Sequence, residues 1–176
     1  QAAFQSSMKA RATLSGLFGL LALQPGVAAA QAEALSKTWI NPGFYSYHFD
    51  RDKNLEDANP GLGIEYPINA QWSFTAGAFR NSDRERSNYI GVYFMPFEWQ
   101  GVKFGAALGA FDGYPNYRDG NWFPAVIPTV AIEWRHWGLN IGYIPDYKDR
   151  LHGAISSQLK VRFDAPPLSG ESGERP

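Results

Sequence analysis

The residues best suited to chemistry fall at the ends of two predicted strands. His48 and Ser46 end the first strand, and Asn81, Ser82 and Asp83 end the third. An imidazole beside a hydroxyl can act as its general base, and a nearby carboxylate or amide can hold the ring in the required orientation. The alternative is that His48 is a solvated residue at a loop edge. The pattern therefore predicts a candidate proton-transfer site where the two strand ends meet.

Alternation of apolar and polar residues predicts the strands that position this site. In the first strand, three aromatic residues share one face, and Ser46 and His48 share the other. In the last strand, Leu159 and Val161 oppose Lys160. The eight predicted strands cover residues 43–50, 61–68, 71–81, 88–95, 102–110, 124–134, 137–143 and 153–163.

The chemistry of the two strand faces predicts a membrane barrel. The inward faces carry mostly Gly, Ser, Thr, Asn, Gln, Lys and Glu, whereas the opposite faces are apolar and are flanked by Trp and Tyr. A soluble barrel needs the reverse arrangement. Short and longer polar connections alternate, as periplasmic turns and external loops do. We expect an all-β fold, an eight-stranded antiparallel transmembrane β-barrel in the cell outer membrane, with His48 near the external rim.

The N-terminal sequence predicts export. A basic stretch that begins at Met8 is followed by an apolar run over residues 14–23 and by three alanines at residues 28–30. This is the three-part pattern of a secretory signal peptide, and the apolar run is too short to cross a bilayer as a helix. We expect residues 1–30 to comprise upstream residues plus the signal peptide.

The remaining chain is expected to form one domain. A short amphipathic helix is predicted over residues 31–39, ended by Asn41-Pro42. The outer-membrane barrel domain is predicted over residues 31–163. The Pro-, Gly- and Glu-rich segment 164–176 has the composition of a disordered tail.

Composition excludes several classes of function. Lys and Arg number 16 and Asp and Glu number 17, without a basic-aromatic cluster, so no nucleic-acid partner is expected. The absence of cysteine excludes thiol catalysis, disulfides and Cys-based metal sites. His136 and His152 lack carboxylates at metal-ligand spacing. We therefore expect no metal and no cofactor.

Several stretches resemble the lipid A palmitoyltransferase (PagP) family. Thr38-Trp39 with Pro42, followed by an aromatic strand that ends in His48, is similar to the opening of that family, which has an amphipathic helix and a catalytic His at the outer end of its first strand. The further similar stretches are residues 59–63, residues 79–82, which match its Phe-Lys-Asp-Ser segment, and the proline-containing residues 123–128 and 143–145. Together they span about residues 38–163.

The resemblance implies an acyltransferase that moves an acyl chain from a phospholipid to lipid A. His48 matches the catalytic base and Ser82 the catalytic serine, while Asn81 stands where the family has a catalytic Asp. Pro128 and Pro145 match prolines that leave gaps in the strand ladder, through which lipid enters sideways. The expected partners are membrane lipids, a phospholipid donor and a lipid A acceptor, and the expected state is a monomer.

Three further residues are expected to bind substrate. Tyr93 falls near the position where the family has a glycine at the floor of its acyl pocket, so a phenol there predicts a shorter acyl chain than palmitoyl. Gly91 lies on the same inward face of that strand. Arg80 belongs to an arginine-rich connection whose side chains either are simply solvated or contact lipid phosphates.

A non-catalytic barrel with a structural or surface-binding role is the competing interpretation. A lumen filled by Lys103, Glu133, Lys160 and Arg162 would favour it, whereas a lipid chain inside the barrel would favour the enzyme. A channel is disfavoured, because eight strands leave little lumen beyond their own side chains.

Overall fold

The computed structural model describes residues 25–146 and 152–164. The predicted signal peptide lies outside the described residues up to residue 24, as does the predicted tail from residue 165. Ser36–Asp164 form one compact unit.

Eight antiparallel strands close into a barrel, which confirms the predicted fold class. Each strand pairs with its neighbours along the chain, and the last pairs with the first. The strands are β1 (Trp39–His48), β2 (Ala58–Pro67), β3 (Trp72–Arg80), β4 (Arg86–Trp99), β5 (Val102–Phe111), β6 (Phe123–Glu133), β7 (Trp137–Ile144) and β8 (Ala154–Val161).

One α-helix, α1 (Pro25–Lys37), precedes the barrel in the chain. Its sequence is rich in alanine, begins with a proline whose missing N–H costs nothing in the first turn, and places Lys37 in the last turn. The predicted helix over residues 31–39 is thus present, but it starts earlier and ends before Trp39. Within the described chain, no helix has both the length and the apolar character needed to cross a membrane.

The connections define the two ends of the barrel. The turns β2–β3, β4–β5 and β6–β7 meet at one end, here called the short-turn end, and the other four connections meet at the long-loop end. β1 starts at the short-turn end and delivers His48 to the long-loop end. β3 runs in the same direction and delivers Asn81 there, so the two strand ends share one rim as predicted.

β1 begins earlier than predicted, because residues 39–42, which were assigned to the helical segment and its end, belong to the strand. The ladder between β1 and β2 shifts register between Asn41 and Gly43, which accommodates a proline without an N–H. Gly43 has φ +110°, and a Cβ at that position would lie 2.1 Å from the Asn59 carbonyl oxygen. The strand therefore begins at Trp39.

The end of β4 also differs. Residues 96–101 were predicted as a connection, but the strand continues through Pro96, where the ladder to β5 shifts register between Phe94 and Phe97. The turn itself consists of Gln100 and Gly101, both with positive φ. That geometry suits a two-residue hairpin turn.

The outer surface of the barrel is apolar. Alternate residues expose large side chains, and Tyr45, Tyr47 and Phe49 on β1 and just beyond it are each about half exposed. Trp134 and Trp137 stack at the short-turn end with ring centroids 3.7 Å apart. The predicted outward faces are therefore confirmed, including that of β2, where Leu62 is 67% exposed.

The short-turn half of the interior is filled by a charged cluster. The Lys160 Nζ lies 2.8 Å from Glu65 Oε1 and 2.7 Å from Glu133 Oε1, and the Lys103 Nζ lies 2.7 Å from Glu133 Oε2. Asn140 donates a further hydrogen bond to Glu65. The charges of two ammonium groups thus balance those of two carboxylates inside the barrel.

Removing the central ammonium should destabilise the barrel strongly. We expect Lys160→Met to lower the free energy of unfolding by about 3–5 kcal/mol, because the buried Glu65 carboxylate loses its counter-charge. Lys103→Met is the matched control and should cost about 1 kcal/mol or less, because the Lys103–Glu133 pair is partly exposed and solvent screens the charge that is left. Urea unfolding in lipid vesicles measures both. Equal losses in the two variants would contradict the central role of Lys160.

Candidate active site at the long-loop end

His48 lies at the rim of the barrel against a carboxylate that precedes β2. The ladder pairs Tyr45 with Ala58, and the Ser46 amide donates to the Asp57 carbonyl at 2.8 Å. Asp57 therefore lies opposite Ser46 and faces inward, diagonally across from His48. Side chains in this diagonal relation on neighbouring strands can reach each other. The His48 Nδ1 lies 3.0 Å from Asp57 Oδ1, and the imidazole is 4% exposed.

The chemistry of this pair fixes which nitrogen of His48 is free. An ionised carboxylate only accepts hydrogen bonds, so Nδ1 donates its proton to Asp57. The neutral ring then carries its lone pair on Nε2, the nitrogen that can take a proton from a hydroxyl. The pair has the base and the orienting group of a general-base site.

Arg51 completes the arrangement from the β1–β2 loop. Its Nη1 donates to both carboxylate oxygens of Asp57, at 3.2 and 2.9 Å. A 3₁₀ turn, Arg51–Lys53, brings the guanidinium back over the rim, with Asp50 capping the turn and Asn54 leaving it at φ +51°. The Arg51 guanidinium also lies 5.2 Å from the centre of the Tyr47 ring.

These contacts keep Asp57 ionised. The hydrogen bond from His48, and then that from Arg51, hold the pKa of the Asp57 carboxyl below its usual range. The hydrogen bond to Asp57 raises the pKa of Arg51 in turn. The orienting carboxylate therefore stays charged at mildly acidic pH.

Asn81 serves the turn beside it. Its Nδ2 donates to the Ser87 hydroxyl at 2.9 Å and to the Gly113 carbonyl at 2.7 Å, and its Oδ1 accepts from the amides of Asp83 and Glu85. A carboxamide has two donor hydrogens and two acceptor lone pairs, so these four bonds use all of them. Asp57, and not Asn81, is the group that orients His48.

Ser82 shares a small cavity with His48. This cavity, here called the rim cavity, has a volume of about 50 Å³. It is lined by Ser46, His48, Leu55, Ser82, Asp83, Tyr114, Ile144, His152 and Ala154. The predicted pairing of the β1 and β3 ends in one site is thus found for His48 with Ser82, and His152 joins them as a second imidazole.

A second cavity of about 80 Å³, here called the inner cavity, lies below the rim cavity. Its upper wall is aromatic, with Phe44 packed edge-on against Phe79 and Tyr89, and Tyr89 stacked on Phe111. Thr129 in its wall donates its hydroxyl proton to a backbone carbonyl and needs no ligand partner.

Tyr93 lies at the bottom of the inner cavity, and Gly91 lies in its wall. Tyr93 also borders the pocket around the charged cluster, and its hydroxyl donates to Gln158 Oε1 at 3.2 Å. Gly91 pairs with Gly109 on β5, and a Cβ on Gly91 would lie 2.5 Å from the Leu108 carbonyl oxygen. Tyr93 therefore lies between the inner cavity and the charged cluster.

The barrel wall has an unpaired seam beside the inner cavity. The β6–β7 ladder runs from Glu133–Gly138 to Thr129–Gly142, so residues 123–128 of β6 and the last two residues of β7 have no partner across this seam. Pro128 lies in the unpaired half of β6, and Pro145 follows β7. Proline cannot donate to a ladder, which keeps the seam unpaired.

Arg80 lies at the long-loop end and is exposed. Its Nε donates to the Arg84 carbonyl at 3.2 Å within the β3–β4 turn. Arg84 reaches the neighbouring loop, with its Nη2 3.2 Å from the Asn54 carbonyl oxygen and its Nε 3.7 Å from Glu56 Oε2. Arg80 is thus placed on the rim but outside both cavities.

Residues missed by the sequence reasoning include Asp57 and Tyr114. Asp57 was assigned to a loop because β2 was predicted to start at Gly61. The register of the β1–β2 hairpin is the signal that could have found it.

His136 lies at the short-turn end, 3.9 Å from Asp164, far along the barrel from His48.

No grouping of three or more His, Cys, Asp or Glu residues that could hold a metal ion occurs in the described part of the chain. Neither a family model nor a curated protein matches this sequence.

Loss of the Arg51 side chain should change the titration of Asp57. We expect Arg51→Gln to raise the pKa of the Asp57 carboxyl toward its ordinary value. A lowered carboxyl pKa contributes stability that is present above the unfolded-state pKa of about 4 and is lost as the pH falls through the folded-state pKa. The variant should therefore lose this stabilisation at a higher pH. ¹³C NMR titration of the Asp57 carboxyl measures the pKa, with Lys53→Gln in the same turn as the control.

Proposed function

We propose that the protein is an outer-membrane acyltransferase that moves an acyl chain from a phospholipid to lipid A. The observation that carries this proposal is the His48–Asp57 pair at the mouth of an apolar cavity inside the barrel. The choice of a phospholipid donor and a lipid A acceptor comes from the resemblance of residues 38–163 to the lipid A palmitoyltransferase family.

The outer surface supports a membrane location. Exposed Leu, Ile, Val and aromatic side chains surround the barrel, and tryptophans gather at the short-turn end. A closed barrel satisfies backbone hydrogen bonds internally, which is a requirement for crossing lipid. With the long loops outside, His48 faces the outer leaflet, where lipid A resides.

The proposed reaction uses His48 as general base. Nε2 takes the proton of a lipid A hydroxyl while the hydroxyl oxygen forms a bond to the acyl carbonyl carbon. The bond from that carbon to the phospholipid glycerol oxygen then breaks, and His48 returns the proton to this oxygen, releasing a lysophospholipid. Asp57 stabilises the imidazolium that exists between the two steps. Ser82 lies in the same cavity and is placed to hydrogen-bond the reacting groups.

The inner cavity is the proposed site for the acyl chain. Its aromatic wall favours a hydrocarbon. The Thr129 hydroxyl in this wall already donates its hydrogen bond to a backbone carbonyl of the protein. Ile127, Gly142 and Ile144 border both this cavity and the unpaired seam, so a chain can enter from the side of the barrel without breaking ladder hydrogen bonds. Pro128 and Pro145 keep this route open.

A non-catalytic barrel remains the second candidate, and the charged cluster favours it. Lys103, Glu133 and Lys160 occupy the short-turn half of the lumen, as that interpretation anticipated, whereas Arg162 instead donates to the backbone carbonyls of Trp134 and Arg135. The long-loop half, in contrast, contains the cavity that the enzyme needs. The two interpretations therefore differ in whether that cavity binds a lipid chain.

Activity should depend on the histidine and its carboxylate partner. We expect His48→Ala to abolish the acylated lipid A product and Asp57→Asn to lower it by about 10²–10⁴-fold, since the amide no longer stabilises the imidazolium. Mass spectrometry of lipid A from cells that express each variant measures the product. His136→Ala is the matched control, because it removes an imidazole at the opposite end. Heat-modifiable gel migration reports folding, and a folded His48→Ala protein with full activity would reject the proposal.

The identity of residue 93 should set the length of the transferred chain. We expect the wild type to transfer a chain shorter than palmitoyl and Tyr93→Ala to transfer longer ones, because removing the ring deepens the inner cavity. Tyr93→Phe should keep the wild-type preference, and Tyr66→Ala removes a tyrosine from the outer surface as a control. Product masses decide the matter. Palmitoyl addition by the wild type would contradict the proposed role of Tyr93.

A further inference from the structure

Tyr114 lies where the two cavities meet. It belongs to the loop between β5 and β6, and it lines both the rim cavity and the inner cavity. Only Ser46 and Ile144 share this position with it among the lining residues of the described chain. These three residues, here called the neck, separate the His48 imidazole from the apolar space below.

The hydroxyl of Tyr114 is available to a ligand. Tyr114 is partly buried, and within residues 25–146 and 152–164 its hydroxyl makes no hydrogen bond, so it can meet a ligand in the cavities that it lines. Burial, and then the charge of Asp83, raise the pKa of Tyr114. The phenol is therefore neutral and can donate its proton in a hydrogen bond.

The backbone next to Tyr114 is clamped to the ends of β3 and β4. The Asn81 Nδ2 donates to the Gly113 carbonyl at 2.7 Å, and the Ser87 hydroxyl donates to the Asp112 carbonyl at 2.6 Å. Asn81 also donates to Ser87, and both side chains are fully buried. The residue that the resemblance placed in catalysis thus fixes the segment that carries Tyr114.

Gly113 makes the clamp sterically possible. Its φ is +80°, and a Cβ there would lie 2.0 Å from the Arg86 carbonyl oxygen. Only glycine can therefore pass so close to β4 at this point. On the far side, the Tyr114 ring packs edge-on against Phe123 with centroids 5.7 Å apart. Clamp and ring contact together define the direction of the side chain.

We propose that the Tyr114 hydroxyl donates a hydrogen bond to the carbonyl oxygen of an acyl ester held in the neck, and that Asn81 is a positioning residue for Tyr114. The acyl chain of this ester lies in the inner cavity, and the ester bond faces His48. The catalytic part of this inference rests on the proposed acyl transfer, whereas binding of the ester at the neck does not depend on it. In the transfer step Tyr114 keeps its proton and stabilises the negative charge on the carbonyl oxygen while His48 carries the proton between the two alcohol oxygens.

Binding is tested by isotope-edited infrared spectroscopy with methyl laurate labelled with ¹³C at the carbonyl. The purified full chain in detergent should show a carbonyl band shifted to lower frequency than that of the ester in protein-free micelles. Tyr114→Phe should abolish the shifted band, because it removes only the hydroxyl. Tyr117→Phe is the matched control, since Tyr117 also packs on Phe123 but does not line either cavity. A shifted band that persists in Tyr114→Phe would overturn the proposal, as would its absence in the wild type.

Catalysis is tested with the same variants on a phospholipid donor and a lipid A acceptor. We expect Tyr114→Phe to lower kcat about 100-fold with little change in KM, as for loss of one donor to a developing oxyanion. If wild-type transfer is present and Tyr114→Phe leaves kcat unchanged, the inference fails while the proposed function stands. If the shifted band depends on Tyr114 but no transfer occurs, the proposed function fails and ester binding at the neck stands.

Asn81→Asp separates the positioning role from the catalytic role implied by the resemblance. A carboxylate at residue 81 supplies the acid that the family has, so a catalytic role predicts higher activity. The same change replaces the donor to Gly113 and Ser87 with an acceptor, so a positioning role predicts loss of the shifted carbonyl band and a lower kcat. A gain in activity with an unchanged band would overturn the positioning role.

Discussion

The interior of this barrel depends on the two ion pairs of the Lys160 ammonium group. This group lies between the Glu65 and Glu133 carboxylates in a space from which water is almost fully removed. Desolvating one such ion is costly, and only close opposite charges with good hydrogen-bond geometry offset the cost. The cluster therefore closes the short-turn half of the lumen and leaves the free volume in the long-loop half, directly below His48.

This division of the lumen explains how a narrow barrel can hold both a proton-transfer pair and an apolar cavity. Eight strands give an interior just wide enough for side chains, so a cavity exists only where small residues face inward. Gly91, Gly109 and Ala107 provide that space, and Tyr93 separates it from the charges below. The rim above is lined by polar side chains, whereas the lining of the inner cavity is mostly apolar.

The period-two pattern was sufficient to predict all eight strands, their inward and outward faces, and the shared rim of His48 and Asn81. It failed where local chemistry overrides a general rule. Pro42 and Pro96 were expected to end elements, but register shifts accommodate both. Asp57 was missed because β2 begins at Ala58 and not at Gly61, and only that hairpin register brings its carboxylate to His48. The position of Tyr114 could not be predicted because it depends on a contact between segments 32 residues apart. Its place at the end of the third strand and the resemblance made Asn81 a catalytic candidate, whereas its four hydrogen bonds depend on the three-dimensional structure.

The unpaired seam between β6 and β7 has a mechanical consequence. A closed barrel resists radial expansion because its hydrogen bonds form a continuous hoop at every level. Here the β6–β7 ladder stops at Thr129 and Gly142, which leaves six residues of β6 without a partner on β7, whereas the β1–β8 and β4–β5 ladders are interrupted only by register shifts. The wall is therefore most compliant where β6 lacks a partner on β7. This part of the wall lies beside the inner cavity, so local opening of the barrel would connect the cavity with the outer surface.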